Sequence, residues 1–209
     1  PFLRKGIGRC LFCSIAFAAP ADESFDLAGV GVGVMTRPYD GVHSETRALP
    51  FLVAEYKDFY VKGLEAGYHF LKAAPLTLSV IAQPRLMGYS SSDSSALSGM
   101  KDRRISLDTG LKAVYELPWH GLEATAKVLT DTLSRNQGSM YQLALARTFE
   151  GRIYRIIPSA GVRYDDANSV DYYYGVNDDE ARAGRAAYAP RGAMDPFANV
   201  AVTCGIAKR

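Results

Sequence analysis

Three histidines are the side chains best placed to move protons near neutral pH: His43, His69 and His120. A hydrolase would set one of them beside a serine and a carboxylate. His43-Ser44 falls in a loop pattern, His69 in a strand pattern and His120 in a short turn. Nothing in the spacing joins them, so no catalytic set and no metal set is assigned. Cys10 and Cys13 form a C-x-x-C pair, the spacing of redox and zinc sites, but no second ligand pair accompanies it. Gly29, Gly31 and Gly33 are spaced G-x-G-x-G with no helix pattern after them, which excludes a dinucleotide fingerprint and any cofactor read from it. They read instead as a strand kept bare on one side.

The elements that carry these residues begin with a leader. Arg4, Lys5 and Arg9 precede the apolar run from Cys10 to Phe17, and Ala19-Pro20-Ala21 is a small-x-small cleavage pattern. Residues 1–21 are read as a signal peptide and residues 22–209 as one domain. Without the three leader cations, 21 remain against 22 Asp+Glu, so the charge gives no case for a nucleic-acid partner. The composition is 48% hydrophobic, which excludes disorder, yet no apolar run is long enough for a membrane helix.

Beyond the leader the dominant period is two. Leu107, Thr109, Leu111, Ala113 and Tyr115 alternate with Ser106, Asp108, Gly110 and Lys112. The segments around Leu76–Ala82, Leu122–Val128, Tyr141–Leu145 and Tyr154–Tyr164 behave alike, and Phe59 to Leu71 reads as one further strand. These runs are about ten residues or longer, the length of a tilted strand crossing a bilayer. Their apolar faces end in aromatics, as at two membrane interfaces. The expected fold is an all-β, antiparallel, transmembrane outer-membrane β-barrel. Its lumen would carry Glu65, His69, Asp108, Lys112, Glu123, Lys127, Arg155 and Arg163. Those charges suit either a salt-bridged plug or a narrow solute channel, and the small size expected of the barrel favours the plug. A hydrolase acting through His69 is the third reading.

Connections alternate short and long. Lys72–Pro75, Pro118–Gly121 and Glu150-Gly151 are short; residues 88–103, 131–138 and 165–196 are long and polar, and face outside. This parity leaves Ala48 to Tyr56 as a partial strand or inserted loop, with Pro50 supporting irregularity. In the longest loop, Asn177 and Glu180 form a capping-box pattern that starts a helical turn ending at Gly184. Asp178, Asp179 and Glu180 read as a solvated helix start rather than an ion or head-group site. Tyr172, Tyr173 and Tyr174 are the candidate interaction residues of this loop, with Gly175 permitting a sharp turn.

Several of these segments carry a family resemblance: Pro38-Tyr39-Asp40-Gly41, Arg47-Ala48-Leu49-Pro50, Phe59-Tyr60-Val61, and Asp171-Tyr172-Tyr173-Tyr174-Gly175-Val176 followed by Glu180-Ala181-Arg182, Gly184 and Tyr188. In order and spacing they resemble the MipA/OmpV family of outer-membrane proteins. The resemblance implies an outer-membrane location, no catalytic residue and, in some members, a scaffold joining murein synthases to lytic transglycosylases. It implies as partners outer-membrane lipid, lipopolysaccharide and the barrel-assembly machinery. The family continues past this chain's Ala207-Lys208-Arg209 to a terminal aromatic strand. The expected barrel is therefore incomplete at its C-terminus, with about 8–9 strands of about 10–12.

Overall fold

Residues that alternate apolar and polar side chains can satisfy both faces only as extended chain, and the chain forms strands almost throughout. The computed structural model describes residues 13–19, 28–33, 49–119, 121–151 and 154–205. The strands are β1 (Cys13–Ala19), β2 (Ala28–Gly33), β3 (Leu49–Tyr56), β4 (Phe59–Gly63), β5 (Glu65–Ala73), β6 (Leu76–Arg85), β7 (Ser106–Glu116), β8 (Leu122–Asp131), β9 (Ser139–Arg147), β10 (Phe149–Glu150), β11 (Tyr154–Asp165) and β12 (Ala193–Gly205), with one α-helix, α1 (Ala167–Tyr174). They make one sheet in the order β10-β11-β12-β1-β2-β3-β4-β5-β6-β7-β8-β9, and β9 pairs back onto β11, so the pairing runs round a circuit. No helix among the described residues is long and apolar enough to cross a membrane.

The register fixes what each face presents. Tyr68, Val80, Leu111, Val128, Tyr141, Tyr164 and Met194 are successive partners across β5, β6, β7, β8, β9, β11 and β12. All seven are exposed, at 40–67%. On the opposite face of the same strands, one residue along, the row is His69, Ser79, Lys112, Lys127, Gln142, Arg163 and Asp195. An apolar row turned to the surroundings with a polar row inside inverts the rule for water-soluble proteins. Lipid is the solvent that favours it. The structure is an all-β outer-membrane barrel, as expected, with twelve described strands in place of about 8–9.

A third row links the polar tiers: Gly67, Ile81, Gly110, Leu129, Met140 and Asp165. Ile81, Leu129 and Met140 pack there with Tyr60 as a small apolar layer inside the barrel. Glycine is needed at Gly67 because a Cβ would collide with the Tyr60 ring, and at Gly110 because it would meet the Val128 carbonyl. Gly29, Gly31 and Gly33 lie in β2, whose backbone pairs with β3.

Two further sequence-based expectations change. The single strand from Phe59 to Leu71 is a hairpin: Gly63 takes φ +67°, the chain turns at Leu64, and β4 pairs antiparallel with β5. Left-handed backbone at a glycine is easily adopted, which is what period-two counting overlooked. This extra reversal removes the parity conflict. Leu49–Tyr56 is a regular strand paired with both β2 and β4, despite Pro50. Within the stretch read as a leader, Cys13–Ala19 form β1, which pairs antiparallel with β2 and parallel with β12. That is the one parallel pairing among the described strands. The rest of the leader lies outside the described residues, as do His43 and His120.

Candidate functional site: lumen struts and loop cap

The lower interior tier is organised by Glu65, at the head of β5. Its Oε1 accepts from Lys112 Nζ at 2.8 Å and from the Tyr60 hydroxyl at 2.8 Å, and its Oε2 accepts from Lys127. Lys112 and Lys127 are neighbours on β7 and β8, so one carboxylate separates two cations that would otherwise repel. The Tyr60 ring stacks on His69 at 4.5 Å, and His69 Nδ1 lies 2.7 Å from Ser79 Oγ. His69 Nε2 stands 3.9 Å from Glu55. Serine, histidine and carboxylate thus occur in sequence, but Ser79, in the same row as Lys112 and Lys127, is only 1% exposed. A nucleophile needs room for a substrate atom about 3 Å away, and this burial argues against that role.

The upper tier is organised by Arg85, at the end of β6. Its Nε donates to Asp108 at 2.8 Å and its Nη1 to Asp165 at 2.6 Å. Asp108 is on the neighbouring strand β7, but Asp165 is on β11, separated from β6 round the circuit by β7, β8 and β9. The guanidinium therefore reaches across the lumen. Arg163 continues the network to Asp165 at 2.9 Å and to Asp195 at 3.7 Å. Glu65 likewise crosses from β5 to β7 and β8. Two tiers of ion pairs with an apolar layer between them span the interior.

Above the struts, the long connections 86–105, 132–138 and 166–192 meet at one end. Asp131 accepts backbone N–H groups from Leu133, Asn136 and Gln137, folding the shortest of them. Asp166 caps α1 through the Ser169 N–H at 2.9 Å and accepts from the Ser139 N–H at 2.8 Å. Glu180 joins the two larger loops. Its carboxylate takes both oxygens onto Arg103 Nη2 at 3.0 and 2.9 Å, and accepts from the backbone N–H groups of Lys101 and Asn177 at 2.7 and 3.0 Å. Burial pushes the Glu180 carboxyl up, but these hydrogen bonds and the Arg103 charge outweigh it and leave the group below its ordinary value. Arg185 and Arg182 clamp the carbonyls of Ala96 and Ser95. Tyr89, Leu97, Met100 and Val176 form an apolar centre for the cap.

The expected site residues are distributed as follows. Glu65, Lys112 and Lys127 come together, with His69 in the same row as the two lysines. Asp108 and Arg163 join the upper network through Arg85 and Asp165, which sequence reading did not single out. Glu123 is half-buried on β8. Arg155 is exposed at the far rim, paired with Glu150 at 2.6 Å. Tyr172, Tyr173 and Tyr174 close α1, a helix not expected there. Tyr173 is fully buried, which pushes its hydroxyl up to about 12, and Tyr172 accepts from the Arg104 N–H. Gly175 is not a left-handed turn: φ is −67°, and glycine is required because a Cβ would strike the Asp171 carbonyl. The helical turn at Asn177 is a short 3₁₀ segment, Asp178–Glu180, while Gly184, at φ +85°, serves a tight turn between Arg182 and Arg185. Glu180 is not solvated; it is the buried hinge of the cap. The pattern Asn-x-x-Glu was visible in the sequence, but its partner Arg103 lies 77 residues away.

A family model described as MltA-interacting protein MipA matches residues 28–209. The chain is 28% identical to the MltA-interacting protein of Escherichia coli (strain K12) over 190 residues, covering 90% of this chain and 75% of that protein. It is 29% identical to outer membrane protein OmpV of Vibrio cholerae over 102 residues, 49% of this chain and 39% of that one. It is 30% identical to outer membrane protein Omp26La of Vibrio anguillarum over 100 residues, 48% of this chain and 38% of that one. No solved structure matches the chain.

Proposed function

The chain belongs to the MipA family and is an outer-membrane protein, and on that premise we propose that it is a non-enzymatic scaffold linked to the murein machinery. The observation that supports this best is the doubly crossed lumen. The ion pairs Arg85–Asp108–Asp165 and Glu65–Lys112–Lys127 cross the interior among the described residues, which favours a salt-bridged plug over a wide path for a solute. On this reading the rims and connections carry function, and a rim is where a partner binds. A relative is named for interaction with MltA, and a murein enzyme is the partner this reading assigns.

The test pairs two measurements on the tagged, membrane-inserted chain. Affinity isolation after cross-linking is expected to recover a lytic transglycosylase or a murein synthase. Planar-bilayer recording is expected to show no steady conductance. An open, ohmic current without such partners would replace the scaffold with the channel reading.

A further inference from the structure

The loop cap carries an open depression of about 350 Å³, within the range of small-molecule sites, about 300–1,000 Å³. Its lining includes four amide side chains, Asn136, Gln137, Asn168 and Asn177, together with Tyr172 and Asp171. The chemistry excludes several ligands. Arg103 is the one cation of the lining, and its guanidinium is already committed to Glu180, to the Tyr172 carbonyl at 2.6 Å and to the Lys101 carbonyl at 3.1 Å. No free positive charge is left for a phosphate. One carboxylate, Asp171, is too few for a divalent cation held by protein oxygens. The polar walls exclude an acyl chain. What remains is a neutral ligand that donates and accepts hydrogen bonds at many points.

An amide carries two donors and an acceptor, and although Asn168 Nδ2 already donates to the Gln137 carbonyl at 3.2 Å, its second N–H and its carbonyl are left for a ligand. Gln137, Asn168, Asp171 and Asn177 are all exposed, and the Tyr172 ring is half-exposed beside them. Asn136 Nδ2 is buried beside the Tyr173 hydroxyl. Asn136 Oδ1, by contrast, is held by the Gly138 N–H and the Ser169 hydroxyl. A sugar presents hydroxyls that pair with amides and a C–H face that packs on an aromatic ring. We propose that this depression is a saccharide-binding site at the outer mouth of the barrel. The sugar is either the glycan of neighbouring lipopolysaccharide or a free saccharide outside the cell.

The experiment uses the full chain in detergent micelles and isothermal titration with two probes. One is the oligosaccharide released from lipopolysaccharide and dephosphorylated; the other is a set of free sugars, N-acetylglucosamine and maltose. Saturable binding of the first alone assigns the site to the membrane's own glycan, and binding of the second assigns it to free sugar. In either case Asn168→Ala and Asp171→Ala are each expected to weaken binding about tenfold, while Ser92→Ala, on a separate loop tip, changes nothing. Heat-modifiable migration shows that each variant is folded. Binding of neither probe, or unchanged affinity in both depression variants, overturns the proposal. None of these outcomes depends on a murein partner.

Discussion

At the scale of single residues, the barrel rests on carboxylates that each hold two cations or one cation and several amides. Glu65→Gln removes the charge between Lys112 and Lys127. Breaking such a buried pair costs about 3–5 kcal/mol. Urea titration of the heat-modifiable band is expected to show that loss, and Lys112→Met in the same chain is expected to recover part of it. Glu180 makes the cap pH-sensitive. Its folded value is depressed, so its contribution is complete above the ordinary carboxylate range and disappears as pH falls through the folded value. Spin labels at Ser92 and Ala187 are expected to give a narrow distance distribution at neutral pH that broadens only once pH falls below the ordinary carboxylate range. Glu180→Gln is expected to flatten that response. Glu65, Lys112 and Lys127 were legible as inward residues from alternation alone. Their convergence was not, since period two assigns a face but not which side chains meet across a lumen. Arg85 escaped notice because it follows Pro84, a residue that ordinarily punctuates a strand.

At the scale of elements, strand existence was written in the hydrophobic pattern, and β6, β7, β8, β9 and β11 lie where the alternation puts them. The reversals were harder to read. The β4–β5 hairpin depends on one left-handed glycine inside an unbroken alternation, and α1 depends on Asp166 and on packing against β9 rather than on an amphipathic repeat. Close strand approach leaves its own test. Gly110→Leu drives a side chain into the Val128 backbone, a strain of about 1–3 kcal/mol or more. The variant is expected to lose most of its compact, heat-modifiable form. A normal band would show that β7 and β8 lie farther apart than their register implies.

At the scale of the whole molecule, the two faces of the strands divide lipid from lumen. Leu111→Arg places a cation in the outward row and is expected to destabilise the barrel in liposomes by about 2–4 kcal/mol. Gln142→Arg, on the inward row, is expected to be tolerated far better. Equal effects would mean that lipid does not cover the outer row. The circuit itself follows a counting rule. With β9 and β10 taken as one interrupted strand it has eleven members, and an odd up-and-down ring requires one parallel seam, which β1 and β12 provide.

The bond from Arg85 to Asp165 bears on the order of assembly. Its ends are 80 residues apart, and they meet only when the sheet has curled far enough to face itself. Hairpins close early because their partners are local; this tie is among the last events of insertion. Arg85→Met is therefore expected to leave the rate of barrel formation nearly unchanged and to speed its opening, the mark of a contact absent from the transition state. Stopped-flow refolding and unfolding in detergent would measure both. The strut then acts as a latch on a finished wall, slowing the route back to an open sheet.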